Sequence, residues 1–191
     1  MKKVIITVAS TFAVLIIGFL LFISSGAYNI SAVSPHNGLT RWIIHTLKDN
    51  SIEKRDADIQ VPNLNDTTLI RIGFEHYNEM CVDCHGAQGI EQSEWAKGMY
   101  PDPPSFYRHA NRMDPKETFW TIKNGIKMTG MPAFGPTHSD QKIWAMTAFI
   151  KEKLQNMTPD EYNAWKEKYS EKEEKGEHHV KRDKDADGDE D

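Results

Sequence analysis

Cys81, Cys84 and His85 are the residues of this 191-residue chain best suited to chemistry. The two cysteines are the only ones present, and a histidine directly follows the second. C-x-x-C-H is the spacing at which a c-type haem is attached. Two thiols add to the two haem vinyl groups as thioethers, and the two-residue spacer sets their separation. The adjacent histidine then lies beneath the iron and ligates it through Nε2, while its Nδ1–H donates to a backbone carbonyl. The loop Pro101–Pro104 is the expected source of that carbonyl. Other uses of the pair fit less well. A dithiol of the thioredoxin type needs a βαβ setting, and no strand pattern is visible. A zinc site needs two further ligands, for which His76 and His85 are poor candidates. A simple disulfide remains as a third reading.

A second axial ligand has to come from elsewhere in the chain. Methionine is the usual partner in electron carriers, and it raises the reduction potential. Met80 adjoins Cys81, Met113 precedes a helix cap, and Met146 has core spacing. Met99 is a further candidate. Met128 and Met131 share one loop. Pro132 stiffens that loop, and Gly130 lets its backbone approach a cofactor closely. Met131 is therefore the favoured sixth ligand, with Met128 as the alternative. If neither binds, His109 or His138 would serve, or the site would be open.

These residues need helices to hold them. Leu69, Ile70, Phe74 and Tyr77 repeat at helical spacing within 67–80, directly before Cys81. Gly and Pro punctuate 86–104 as loop. Asp114, Pro115 and Glu117 form a capped helix start, and Gly125 is the stop. A further helix is expected from Ser139 to Leu154. Another begins at Thr158-Pro159-Asp160-Glu161 and carries Tyr162, Trp165 and Tyr169.

The N-terminus reads Met1-Lys2-Lys3 and then an almost unbroken apolar run from Val4 to Ile23, long enough for a membrane span. The preceding lysines keep the N-terminus cytoplasmic and export the remainder. Ser25-Gly26-Ala27 also permits a cleaved signal peptide, although the run exceeds the usual length of one. Leu39, Trp42, Ile43 and Leu47 mark a short amphipathic helix, which would lie in the membrane interface or pack on the domain. Residues 51–65 look like a polar linker that lets the domain swing. The net charge of −5 resides in the tail, where Asp160 to Asp191 hold 13 acidic and 7 basic residues. Beyond Ser170 the composition favours disorder. No basic stripe suggests nucleic acid. The expected organisation is an anchor or signal peptide at 1–27, a juxtamembrane segment and linker at 28–65, a haem domain at 66–156, and a polar helix with charged tail at 157–191.

At this point the sequence resembles class I cytochrome c. Cys81-Val82-Asp83-Cys84-His85, with Gly73 and Tyr77 before it, is similar to that family's first helix and attachment site. The run from Asn124 to Phe134 resembles its axial-methionine loop, in which the methionine before proline is the ligand. That maps to Met131, 46 residues after His85. Trp144 and Phe149 match aromatic positions of its last helix. The N-terminal anchor and the Tyr28–Trp42 segment resemble membrane-attached bacterial single-haem cytochromes.

The resemblance implies an all-α fold whose first and last helices cross near Gly73 and Tyr77. It also implies one covalently bound haem c per chain and His85/Met131 ligation. The chain would then be an electron carrier rather than an enzyme, alone or as the cytochrome subunit of an oxidoreductase complex. It would sit in a bacterial inner membrane by a single pass, with the haem domain facing the periplasm. Its partners would be membrane-bound or periplasmic redox proteins, and no small-molecule substrate is indicated. Phe74, Tyr77, Trp95, Phe106, Phe119, Trp120, Phe134 and Trp144 are candidates to surround the haem or to fill the core. The rival reading is a haem-based sensor or peroxidase-like protein with an open sixth site.

Overall fold

The computed structural model describes residues 1–109 and 113–170. Among these there is no strand, only an isolated bridge between Ala87 and Ile90, in keeping with the expected all-α class. The first helix, α1, spans Lys2–Ser24 and is exposed along its whole length. Its mean hydropathy reaches 2.7, so it is long and apolar enough to cross a membrane. At the usual rise its length is about 35 Å, against a hydrocarbon core of about 30 Å.

The next helix, α2 (Gly38–Asp56), is longer than its sequence suggests. Asn37 caps it, its side chain accepting from the Thr40 N–H at 2.9 Å. Ile52 is buried, and the Lys116 ammonium donates to the Ala57 carbonyl at 3.2 Å. Leu64 is buried as well, and Ile59 half-buried. Residues 51–65 are therefore not the free linker expected. Their few apolar side chains are too widely spaced to show a period, yet Ile52 and Leu64 are buried and Ile59 is partly covered, while Val61 stays exposed. The connector before α2 is tied down too. The Tyr28 hydroxyl pairs with His36 Nδ1 at 2.6 Å, and the His36 N–H donates to the Tyr100 hydroxyl at 3.1 Å.

The helix leading to the cysteines, α3 (Thr67–Met80), begins where the Asp66 carboxylate accepts from the N–H groups of Thr68 and Leu69. Short helices follow at Val82–His85 (α4), Glu94–Lys97 (α5) and Phe106–His109 (α6). Pro115–Asn124 forms α7, capped by Asp114 and ended by Gly125, whose φ of +64° suits glycine. Asp140–Ala148 forms α8. That helix does not run unbroken to Leu154. It passes into a π-helical turn at Phe149–Lys153 and a 3-10 turn at Leu154–Asn156. The wider turn still keeps Phe149, Ile150 and Leu154 fully buried.

The core forms where α3 crosses α8. Phe74, Tyr77, Ile143, Met146 and Phe149 are buried there with almost no exposure. The last described helix, α9 (Pro159–Ser170), closes over Phe74. Tyr162 is fully buried, its ring centroid 5.2 Å from that of Phe74, and Trp165 packs at 5.4 Å. The core thus takes in residues past 156. The charged tail beyond Ser170, where the sequence suggests disorder, lies outside the described residues.

Candidate functional site

Cys81 caps the end of α3, and Val82–His85 forms one more turn, so the Cys81–His85 motif is held on helical backbone. The N–H groups of Cys84 and His85 both bond back to the Cys81 carbonyl. The Tyr77 hydroxyl donates to the Gly86 carbonyl at 2.6 Å, pinning the exit of that turn from inside the core. His85 is buried, with its ring stacked on Phe106 at 4.0 Å. Its Nδ1 lies 2.8 Å from the Pro104 carbonyl. A carbonyl can only accept, so Nδ1 carries the proton and the lone pair falls on Nε2. Burial lowers the pKa of His85, and the Pro104 bond opposes this only in part. The neutral, ligating form of the ring is favoured.

Cys81, Cys84 and His85 open onto a cavity of about 360 Å³. This is within the range of ligand pockets, roughly 300–1,000 Å³. Pro101, Pro103 and Pro104 wall one side, while Met131, Pro132 and Phe134 stand in its wall from the loop after α7. That loop is shaped by Gly125. A Cβ there would stand 2.7 Å from the Pro132 carbonyl carbon and 2.8 Å from the Met131 oxygen. The Ile126 N–H donates to Met131 O at 3.2 Å, and the Met131 N–H to Thr129 Oγ1 at 3.1 Å.

The methionine candidates separate. Met131 is half-buried in the cavity wall, whereas Met128 is fully exposed at a φ of +59° and does not line it. Met80, Met99 and Met113 also reach the cavity. Met99 packs on the methionine loop, its Sδ 2.6 Å from where a Cβ on Gly130 would lie. Met146 is fully buried in the core. His138 packs on His76 and Phe134 instead of the cavity, and the side chain of His109 lies outside the described residues.

The donor set fits a haem. Two thiols, an imidazole and a thioether side chain line one largely apolar space. The cysteines do not look like a redox or metal-binding dithiol. Burial pushes the Cys81 thiol up to about 12 and also raises Cys84, whereas such roles need a thiolate.

Several aromatic residues lie elsewhere than around this cavity. Trp95, Phe106 and Phe134 line it. Phe74 and Tyr77 fill the helix crossing instead. Phe119 and Trp144 stack on each other at 4.1 Å beside a second, shallower groove that Trp120 also borders. Phe119 and Ile122 share the buried face of α7, and Phe119 packs there against the half-buried Trp144 of α8.

Three contributors carry no recognisable motif. Gln92 donates from one amide nitrogen to the carbonyls of Cys84 at 2.7 Å and Pro103 at 2.8 Å. It thereby joins the Cys81–His85 turn to the loop that holds His85. Lys48 and Ile52 of α2 also line the cavity. A lone glutamine in a loop gives no sequence signal, and only the long-range fold brings α2 to the site.

Residues 68–150 match the family model described as cytochrome c oxidase, cbb3-type, subunit III. No curated protein matches the chain.

Proposed function

Because residues 68–150 form a class I cytochrome c domain, whose role is haem-based electron transfer, we propose that this chain carries one haem c, bonded through Cys81 and Cys84, with His85 and Met131 as axial ligands. The domain shuttles electrons between redox partners at a membrane to which α1 anchors it, on the periplasmic side. The observation that carries the reading is the placement of Met131 and the Cys81–His85 turn on the walls of one apolar cavity.

When bound, the group supplies a one-electron iron couple. The protein's part is to hold and insulate it. His85 offers Nε2 because Pro104 fixes the other nitrogen. Met131 offers a soft sulfur from a loop that Gly125 and Thr129 constrain, and such a ligand raises the potential. With the iron held by His85 and Met131 from constrained backbone, a change of its oxidation state would need little rearrangement of the protein. Phe106, Ile122 and Ile150 exclude water on the inner side. A role as the cytochrome subunit of a larger oxidoreductase also fits, given the description of the matching family.

The test has two parts. Denatured, acid-washed polypeptide should retain porphyrin absorbance, and reduced native protein should resist carbon monoxide. Loss of the absorbance overturns the covalent attachment. Rapid carbon monoxide binding overturns the closed sixth site and favours a sensor or peroxidase-like protein.

A further inference from the structure

The two sides of α2 meet different surroundings. At 100° per residue, Leu39, Trp42, Ile43 and Leu47 form one stripe, with Lys48 and Ile52 on the opposite side. Lys48 and Ile52 wall the cavity. The stripe is bare, with Leu39 67%, Trp42 65% and Leu47 70% exposed. Ile30 and Val33, in the connector just before, are each 91% exposed. Scattered apolar residues are ordinary on a surface, but a contiguous stripe marks a place of contact.

Charge and continuity identify what covers it. Between Gly38 and Lys48 the ionisable side chains are Arg41, His45 and Lys48, and the first acid is Asp49. An apolar stripe carrying a tryptophan, opposed on the same helix by the basic side chains of Arg41 and Lys48 and with no acid before Asp49, matches a helix lying at the boundary of an anionic bilayer. The bare helix α1 ends at Ser24, and Ser25–Asn37 is all that separates it from α2. Fully extended, that connector reaches at most about 45 Å. The Tyr28–His36–Tyr100 contacts fold it back against the haem loop.

We infer that the Leu39–Leu47 face of α2, with Ile30 and Val33, seats in the headgroup boundary of an anionic bilayer beside α1, while the opposite side of the same helix walls the haem cavity. Membrane contact then sets the orientation of the haem domain. The inference rests on α1 being a retained anchor, and the test separates the two.

The full-length haem-loaded protein is reconstituted into vesicles of phosphatidylethanolamine and phosphatidylglycerol. Spin labels are placed through Ile43→Cys, Leu47→Cys and, as a control, Arg55→Cys. The labels at 43 and 47 should collide with dissolved oxygen more often than with a water-soluble nickel chelate, and the label at 55 should show the reverse. Adding Leu39→Glu should return the label at 43 to the chelate-accessible state in a chain that still resists carbonate extraction. Chelate access at 43 and 47 in a carbonate-resistant chain overturns the inference and leaves the anchor standing. Release of the chain by carbonate overturns both. Protection that appears only in native membranes assigns the face to a protein partner and likewise overturns it.

Discussion

The carbonyl oxygen of Ala145 lies 1.9 Å from the point where a Cβ on Gly73 would stand. No side chain fits between these two backbones, and the Phe149 Cβ, at 2.8 Å from the same point, leaves no room to shift. Gly73→Ala is expected to push α3 and α8 apart and to destabilise the haem-loaded domain by about 3 kcal/mol, the upper end of ordinary overpacking. Denaturant titration followed by haem absorbance measures it. An unchanged midpoint would mean that the crossing is looser than described.

Met131→Ala should abolish the weak near-infrared band of methionine–iron ligation and lower the reduction potential. Met128→Ala should leave both unchanged, because its side chain is in solvent. Loss of the band in the second variant alone would move the ligand.

Gln92→Leu removes two hydrogen bonds, to Cys84 and Pro103. A stability loss of about 1–2 kcal/mol is expected. The His85–Pro104 bond should loosen as well. A histidine whose Nδ1–H bond weakens is a poorer donor to iron, so the potential should rise. Glu91→Gln, next door and fully exposed, serves as the control. A stability loss without a change in potential would show that Gln92 is only structural.

His76 sets a pH dependence. Burial is the main cause of its lowered pKa, with Lys142 and His138 adding to the effect. A histidine that resists protonation when folded is protonated first in the unfolded chain. Stability should therefore be full above the ordinary value of 6.5 and decline as pH falls below it. His85 would not contribute once it is bound to iron. Denaturation midpoints from pH 7.5 to 5 should fall, and His76→Gln should flatten the decline. An equal decline in both proteins would assign it to other groups.

The helix before Cys81, the turn-like loops of 86–104 and the loop after Gly125 were legible in the sequence from periodicity and from glycine and proline, while the α3–α8 crossing near Gly73 was expected only from the resemblance to class I cytochrome c. The capped starts of α7 at Asp114 and of α9 at Thr158 were legible from their cap-proline-acid signatures. What stayed hidden depends on long-range register. Ile52 and Leu64 look isolated in a polar stretch, and nothing near them reveals that α2 runs on to wall the cavity. The Phe119–Trp144 stack was not visible either, since helical spacing places both near the haem and only the packed fold turns them away. The π-helical turn after Ala148 leaves no trace in a pattern of apolar spacing.

Cys81 retains only 7% of its surface in the closed fold. On the covalent reading, its sulfur is reached only from the cavity it lines, so attachment machinery would have to work through the porphyrin's own opening or while the Pro101–Pro104 and Met131 loops still stand apart.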